Sequence, residues 1–560
     1  MSEQNDSADN PTHGSAPAPS GSPANPPRRR RSAVLTCVLI AGGLMLAAAL
    51  ALGLVVVVIA PRLQIASACP PASPLATAPA PVVNGATTET EIIGADLSIS
   101  LTQQTFALSP DGKRTAFAAP QDNCVVVVVD GQTDGPYTGV VMKDGTVRMI
   151  FSPDSRHMAY MADEPAGSVV VVDGQVQGPY QAVGPDSLVF SPDSQQYAYT
   201  AILGSQFFEV VNGQRGQVYE AADNPHFSPD SGHLAFAARK GGQWLVVRDG
   251  QEGTAYDDVY LAGAPFSPDS QHLAYRAMQA GKAMLVLDGK TSTLYDGIAQ
   301  TTITFSPDSQ HVAFVAQLGA QWMSVLDGKD SQLYERIGGQ SFSPDSQHFA
   351  FLAQAGTDSL IVRDGVEGKH YTSTGSDPPV FSPDSQHLAY AAIQDNKYRV
   401  VVDELEGKPY DALGQGSLHF SGGGPSVTYQ AVLGSQWYVE VGEQEDGPYD
   451  SEGAPVYSPD GRAMAFTAAK GQATFVVSNG QPQSRYDAVG QPTFSSDGKH
   501  MGYAARRGSQ FFAVIDGQQG LPYDHIVGPS DGVVRFGPDN SYHFLAERGN
   551  AFMLVTGTVR

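Results

Sequence analysis

A chain of 560 residues can bury more than one large core, and 60 glycines, 39 prolines and only 16% charged side chains suit a turn-rich, all-β protein. The formal net charge of −24 excludes a nucleic-acid groove and adhesion to anionic lipid as organising functions. Acidic side chains that keep a large surface soluble account for it.

Residues 1–27 are mostly Pro, Ser, Ala and Asn, and Arg28 to Arg31 follow directly, so 1–31 is expected to be a disordered cytoplasmic segment. From Ala33 to Ala60 no residue is charged. As a helix that run spans about 42 Å, more than the about 30 Å of a hydrocarbon core. Residues 32–61 therefore read as one transmembrane helix, and the arginines ahead of it place the N-terminus in the cytoplasm. Ala66-Ser67-Ala68 resembles a signal-cleavage site, but the apolar run is longer than a signal peptide's. Cys69 has no leucine three residues before it, as a lipoprotein site would. The segment reads as a retained anchor. Residues 62–90, rich in Pro, Ala and Thr, read as a semi-rigid tether. The chain has three cysteines, Cys37, Cys69 and Cys124. Cys69 and Cys124 could pair outside the cytoplasm, although such sparse usage favours two free thiols.

Beyond the tether one unit recurs, shown by Phe266 to Ile298. Ser267-Pro268-Asp269-Ser270 is a turn, in which Pro pre-sets φ and the Asp and Ser side chains bond nearby backbone. His272 to Ala277 alternates apolar and polar residues at period two, and Ala283 to Leu287 is a second apolar run. Asp288-Gly289 supplies the positive φ angles of a type I′ hairpin. A further short strand lies around Tyr295. The anchor position falls at Ser109, Ser152, Ser191, Ser228, Ser267, Ser306, Ser343, Ser382, Ser421, Ser458, Ser495 and Gly537, which makes twelve units.

A helix-free, four-stranded unit of near 40 residues reads as a β-propeller blade. At these residues the chain resembles the TolB-type, WD40-like repeat family with its Ser-Pro-Asp signature. The resemblance, over roughly Glu91 to Arg560, implies an all-β propeller fold and a setting in the cell envelope; it implies no activity, since the repeat serves many functions. The turns Leu203-Gly204-Ser205-Gln206, Leu318-Gly319-Ala320-Gln321 and Leu433-Gly434-Ser435-Gln436 recur at intervals of 115 residues. That rhythm points to duplication of a three-blade block, and hence to two six-bladed rings, repeats 1–6 over 91–337 and repeats 7–12 over 338–560. Seven plus five blades, or one ring of twelve, are the alternatives. Unit twelve lacks an outer strand, which Glu91 to Gly94 could supply.

Little in the sequence carries reaction chemistry. Gly528-Pro529-Ser530-Asp531-Gly532 fits G-x-S-x-G, but no helix or hydrolase domain follows to make it a nucleophile elbow. His157, His233, His272, His311, His348, His387 and His500 take one position of the repeat, too far apart to share a metal. No metal or cofactor is expected. In an antiparallel blade the Ser-Pro-Asp-Ser and Asp-Gly turns share one face, and the variable connections share the other. A variable face suits binding. Trp244, Trp322 and Trp437 open strands there, and Arg148, His226, His419 and Arg535 start inner strands near the channel mouth. These seven are the candidate binding residues, against the plainer reading that each aromatic packs on its own blade. The expectation is a membrane-anchored, extracytoplasmic, non-catalytic binding or scaffold module for a protein, peptide or envelope glycan. The alternatives are a propeller-channel lyase or lactonase and a pure spacer.

Overall fold

In the computed structural model, residues 82–84, 87–93 and 106–559 are described, apart from 122, 144, 145, 262, 301, 422, 423, 529–531 and 550. The expected transmembrane helix, Cys37, Cys69, most of the tether and the centre of the G-x-S-x-G match lie outside the described residues. Among the described residues no helix is long and apolar enough to cross a membrane. All regular structure among the described residues is strand.

Twelve antiparallel sheets of four to six strands follow one another along the chain. Blade 5 is typical. Its strands are Asp258–Tyr260, Ala274–Gln279, Lys282–Leu287 and Lys290–Thr291, in that spatial order, with Tyr295 bridging to Ala283 on the outer edge. Asp288 and Gly289 take φ of 50° and 76°, as a type I′ turn requires. The two conserved turns meet on one face. Asp288 Oδ1 accepts the Leu273 N–H at 2.9 Å, while Oδ2 lies 2.7 Å from His272 Nδ1. All seven repeated histidines make this pairing, at 2.5–2.8 Å, each with the aspartate of its own blade's hairpin turn, which is Asp-Gly except at Asp403-Glu404.

Ser-Pro-Asp-Ser is a capped turn. The Ser267 hydroxyl donates to Asp269 Oδ1 at 2.5 Å and accepts the His272 N–H at 3.0 Å. The Ser267 hydroxyl, followed by the Gln271 N–H, holds the Asp269 carboxyl below the ordinary carboxylate range. The fourth residue, Ser270, sits at φ 66°, a left-handed conformation that is costly for serine. Its hydroxyl offsets that cost by accepting the Asp230 N–H of the preceding blade at 2.9 Å. Seven such latches join blades 1 to 8 in series, from Asp111–Ser155 to Asp345–Ser385. Blades 9, 10 and 11 carry Gly424, Gly461 and Gly498 in that place.

The core lies in the seams between blades, and each seam has its own apolar cluster. Second strands supply alanines, such as Ala235 and Ala237 of blade 4, and outer edges supply tyrosines, such as Tyr256. Small residues inside and large ones outside fill the wedge between sheets that fan out from an axis. The outer tyrosine meets an aromatic ring of the next blade edge-on, as Tyr137 meets Tyr160 at 5.9 Å and Tyr295 meets Phe314 at 5.8 Å.

The seams form one circuit. Blade 6 packs on blade 7 through Ala313, Tyr334, Phe349 and Phe351, and blade 12 packs on blade 1 through Leu545, Leu554, Phe117 and Val126. Lys113 pairs with Asp539 across the latter seam at 2.9 Å. This corrects the expected pair of six-bladed rings: twelve blades make one ring. Strand β1 (Val82–Asn84) pairs with β2 (Thr87–Ile93), and β2 supplies the missing strand of blade 12 by pairing with Ala551–Thr558. Glu89 of β2, 4% exposed, receives two Arg548 bonds at 2.8 and 2.9 Å and the Tyr523 hydroxyl at 2.7 Å. Cys124 is disulfide-bonded. The expectation of two free thiols is therefore corrected, and the partner lies outside the described residues.

Candidate functional site

The three tryptophans occupy one position of the repeat, opposite the outer tyrosine of their own blade. Trp244 bridges Tyr256, Trp322 bridges Tyr334 and Trp437 pairs with Tyr449. Other blades place Phe207, Ala283, Ser359, Tyr398 or Thr474 there. Trp244 is 9% exposed inside the seam of blades 4 and 5, whereas Trp322 and Trp437 are half-buried. The plainer reading of packing on the blade holds for Trp244.

The four inner-strand candidates are spread round the ring. Arg148 lies 3.7 Å from Asp186 of blade 3, both about one-third exposed. His226 is half-buried at the start of Phe227's strand, and burial lowers its imidazole below the ordinary histidine range. Arg535 lines a cavity of about 440 Å³ at the seam of blades 12 and 1 with Phe106, Val527 and His543. His543 is 2% exposed, and burial, with the Arg535 charge next, lowers it to about 4. His419 opens the inner strand of blade 9, with its ring 4.8 Å from that of Tyr457. The structure does not bring these residues together, and of the seven only His419 lines the cleft at blades 7 to 9.

That cleft, about 840 Å³, spans the inner strands of blades 7, 8 and 9. Its inner segments are breaks in the inner strands of blades 8 and 9, a feature that most blades share. In blade 8 the segment Gly375-Ser376-Asp377-Pro378-Pro379 separates Ser373–Thr374 from Val380–Phe381. In blade 9, Gly414-Gln415-Gly416-Ser417-Leu418 separates Ala412–Leu413 from His419–Phe420. Pro378 and Pro379 cannot donate to a strand ladder, which is a local reason for the first break. Asp377 Oδ2 accepts the Gly416 N–H at 2.6 Å and ties the two segments. Ser417 donates to Gly414 O at 2.7 Å and accepts the Gln430 N–H at 3.0 Å. The walls are apolar and aromatic, with Phe342, Ile393, Tyr398 and Leu418, while Asp377 and His419 are the ionisable lining groups. The cleft lies across the first seam that lacks a serine latch. Blade 3 carries a similar insert, Gly184-Pro185-Asp186-Ser187-Leu188, with Ser187 donating to Gly184 O at 2.8 Å, so the Gly-, Ser- and Pro-rich composition alone does not mark the cleft.

Reaction chemistry finds little footing. Among the described residues, no group of three or more His, Cys, Asp or Glu side chains could hold a metal ion. Gly528 and Gly532 precede the strand Arg535–Phe536, where a nucleophile elbow would lead into a helix. The seven histidines each face an aspartate, but no serine or cysteine completes a triad in those hydrogen bonds.

No family profile and no curated protein sequence matches the chain. Solved structures similar to it include a eukaryotic initiation factor, at 15% identity over 57% of this chain and 90% of that one, with a TM-score of 0.33. TolB from Acinetobacter baumannii is 14% identical over 45% of this chain and 79% of that one, with a TM-score of 0.21. The β-propeller domain of the Trilobed protease from Pyrococcus furiosus is 12% identical over 45% and 93%, with a TM-score of 0.23.

Proposed function

We propose that this protein is a membrane-anchored, extracytoplasmic binding module that catalyses nothing, and that the cleft across blades 7 to 9 receives its ligand, a protein, peptide or envelope glycan. Residues 32–61 hold it in the membrane and the ring lies outside the cytoplasm. One observation carries this reading: the cleft of about 840 Å³ has apolar walls, neutral polar groups at its inner segments, and only one carboxylate and one imidazole. Those are the features of a site that recognises rather than reacts. The Cys124 disulfide supports an oxidising compartment. The variable-face residues Trp322 and Trp437 are secondary anchors.

A photo-crosslinking side chain at Ser376, which is exposed at the cleft, tests the site in the full chain. An adduct at 376, absent when the crosslinker is moved to Gln271 on the conserved face, is the expected result, and its mass separates peptide from glycan. Ser376→Trp, which crowds the cleft, removes ligand retention by a factor of ten or more, on the order expected for an obstructed pocket. No adduct at 376, or equal capture at both positions, overturns the reading.

A further inference from the structure

Three hairpin tips on the variable face set themselves apart. In blades 3, 6 and 9 the turn between the second and third strands carries a leucine at its first corner. Leu203, Leu318 and Leu433 are 37%, 48% and 46% exposed. The same corner is Glu164, Lys240, Gln279, Gln394, Lys470 or Arg507 in six other blades. An isolated exposed leucine needs no explanation. Here the same exposed position is leucine in blades 3, 6 and 9, where blade 7 has Ala355 and blade 12 Arg548, and an aromatic follows one rung below each leucine: Phe207 opposite Ile202, Trp322 opposite Gln317, Trp437 opposite Val432.

Duplication of a three-blade block explains why a turn recurs, but not why this one kept its character. In the same three copies the neighbouring turns diverged, from Glu164-Pro165-Ala166-Gly167 to Gln279-Ala280-Gly281-Lys282 and Gln394-Asp395-Asn396-Lys397. Two of the tips are also held firmly. Gly319 N–H donates to Asp296 at 2.6 Å and Gly434 N–H to Asp411 at 2.7 Å, which pins each turn against its own blade.

We infer that these three tips seat the ring flat on the apolar–polar boundary of a lipid bilayer. Spacing selects this occupant. With sheets about 10 Å apart, twelve blades put mid-blade turns at a radius of about 19 Å, so blades 3 and 6 are about 27 Å apart and blades 3 and 9 about 38 Å. Three apolar points on one face of the ring, so widely separated, match an extended plane better than a compact partner. Leucine and tryptophan suit the interface of a bilayer. Zwitterionic lipid is the surface meant, since a net charge of −24 opposes an anionic one. The chain's path agrees. Strand β1 runs antiparallel to β2, whose Ile93 end lies by Phe552 on the variable-face side, so the chain enters blade 12 from that side. The inference rests on the proposed anchoring by residues 32–61.

The test uses the full chain reconstituted in phosphatidylcholine vesicles with brominated acyl chains, which quench nearby tryptophan. The protein has three tryptophans, and the Trp322→Phe/Trp437→Phe variant leaves buried Trp244 as the internal control. The wild type is expected to float with the vesicles and lose emission to the bromines. The control variant floats unquenched. The Leu203→Asp/Leu318→Asp/Leu433→Asp variant floats, keeps its strand circular dichroism and recovers the emission. Flotation without quenching, or quenching that survives the triple substitution, overturns the inference and leaves the anchoring intact. Failure to float overturns both.

Discussion

At the level of single residues, the fourth position of Ser-Pro-Asp-Ser shows strain kept because it serves a neighbour. Ser270 is buried at φ 66° and accepts the Asp230 N–H from the preceding blade. Ser270→Ala keeps the strained backbone and loses the acceptor, so it is expected to destabilise by about 1 kcal/mol. Ser270→Gly loses the same bond but relaxes the backbone, and should fall within a few tenths of wild type. Chemical denaturation of the pair checks the ranking, and an alanine variant as stable as the glycine one would refute the latch. Glu209 is a different case. It is 3% exposed and burial raises its carboxyl from 4.5 to about 8, with Thr200 Oγ donating to Oε1 at 2.7 Å. The folded chain therefore holds a proton that the unfolded chain releases above its ordinary value. The stability this gives is complete below about pH 4.5 and is lost as pH rises through about 8. Glu209→Gln keeps the Thr200 bond without that dependence. Its melting temperature should equal wild type near pH 4 and exceed it increasingly up to pH 8; parallel curves would show that Glu209 is ionised throughout.

At the scale of the strand and turn, the sequence was informative where a backbone angle dictates a residue. Asp-Gly at most type I′ corners, and Ser, Asn or Gly at most left-handed positions, recur whatever surrounds them, with Glu404 and Ala280 as exceptions, so the blades and their two faces could be read directly. The inner strands were less legible. Breaks occur in most of them, and in blades 8 and 9 the two broken segments are tied by Asp377 and Gly416, a contact between blades that no local pattern announces. Trp244 shows a second limit. An aromatic at a strand start looks like an anchor, yet the outer tyrosine twelve residues later is its ladder partner, as Tyr256 is for Trp244. Closure was half visible. The missing outer strand of blade 12 pointed to an N-terminal strand, but its start at Thr87 and the Glu89–Arg548–Tyr523 lock depend on a side chain buried only once the ring is shut.

For the whole molecule, the number of blades in a ring is decided by the seams rather than by the blades. A seam of alanines and tyrosines can be built at many wedge angles, so the three-blade rhythm fitted six as well as twelve. The circuit itself distinguishes them, because blade 12 meets blade 1 and blade 6 meets blade 7. One ring has a geometric consequence. At about 10 Å per sheet, the inner strands of twelve blades lie about 12 Å from the axis, about 7 Å inside the blade centres, too far for side chains to meet across it. Two six-bladed rings would place their blade centres only about 10 Å from each axis and would be filled at the middle. Single-particle electron microscopy of the detergent-solubilised full chain should therefore show one annulus of about 60 Å with an open centre. Two smaller discs joined edge to edge, each closed at its centre, would refute the single circuit. That outcome would also remove the spacing on which three-point seating on a bilayer depends, while leaving the blades, their latches and the cleft of blades 7 to 9 as they stand.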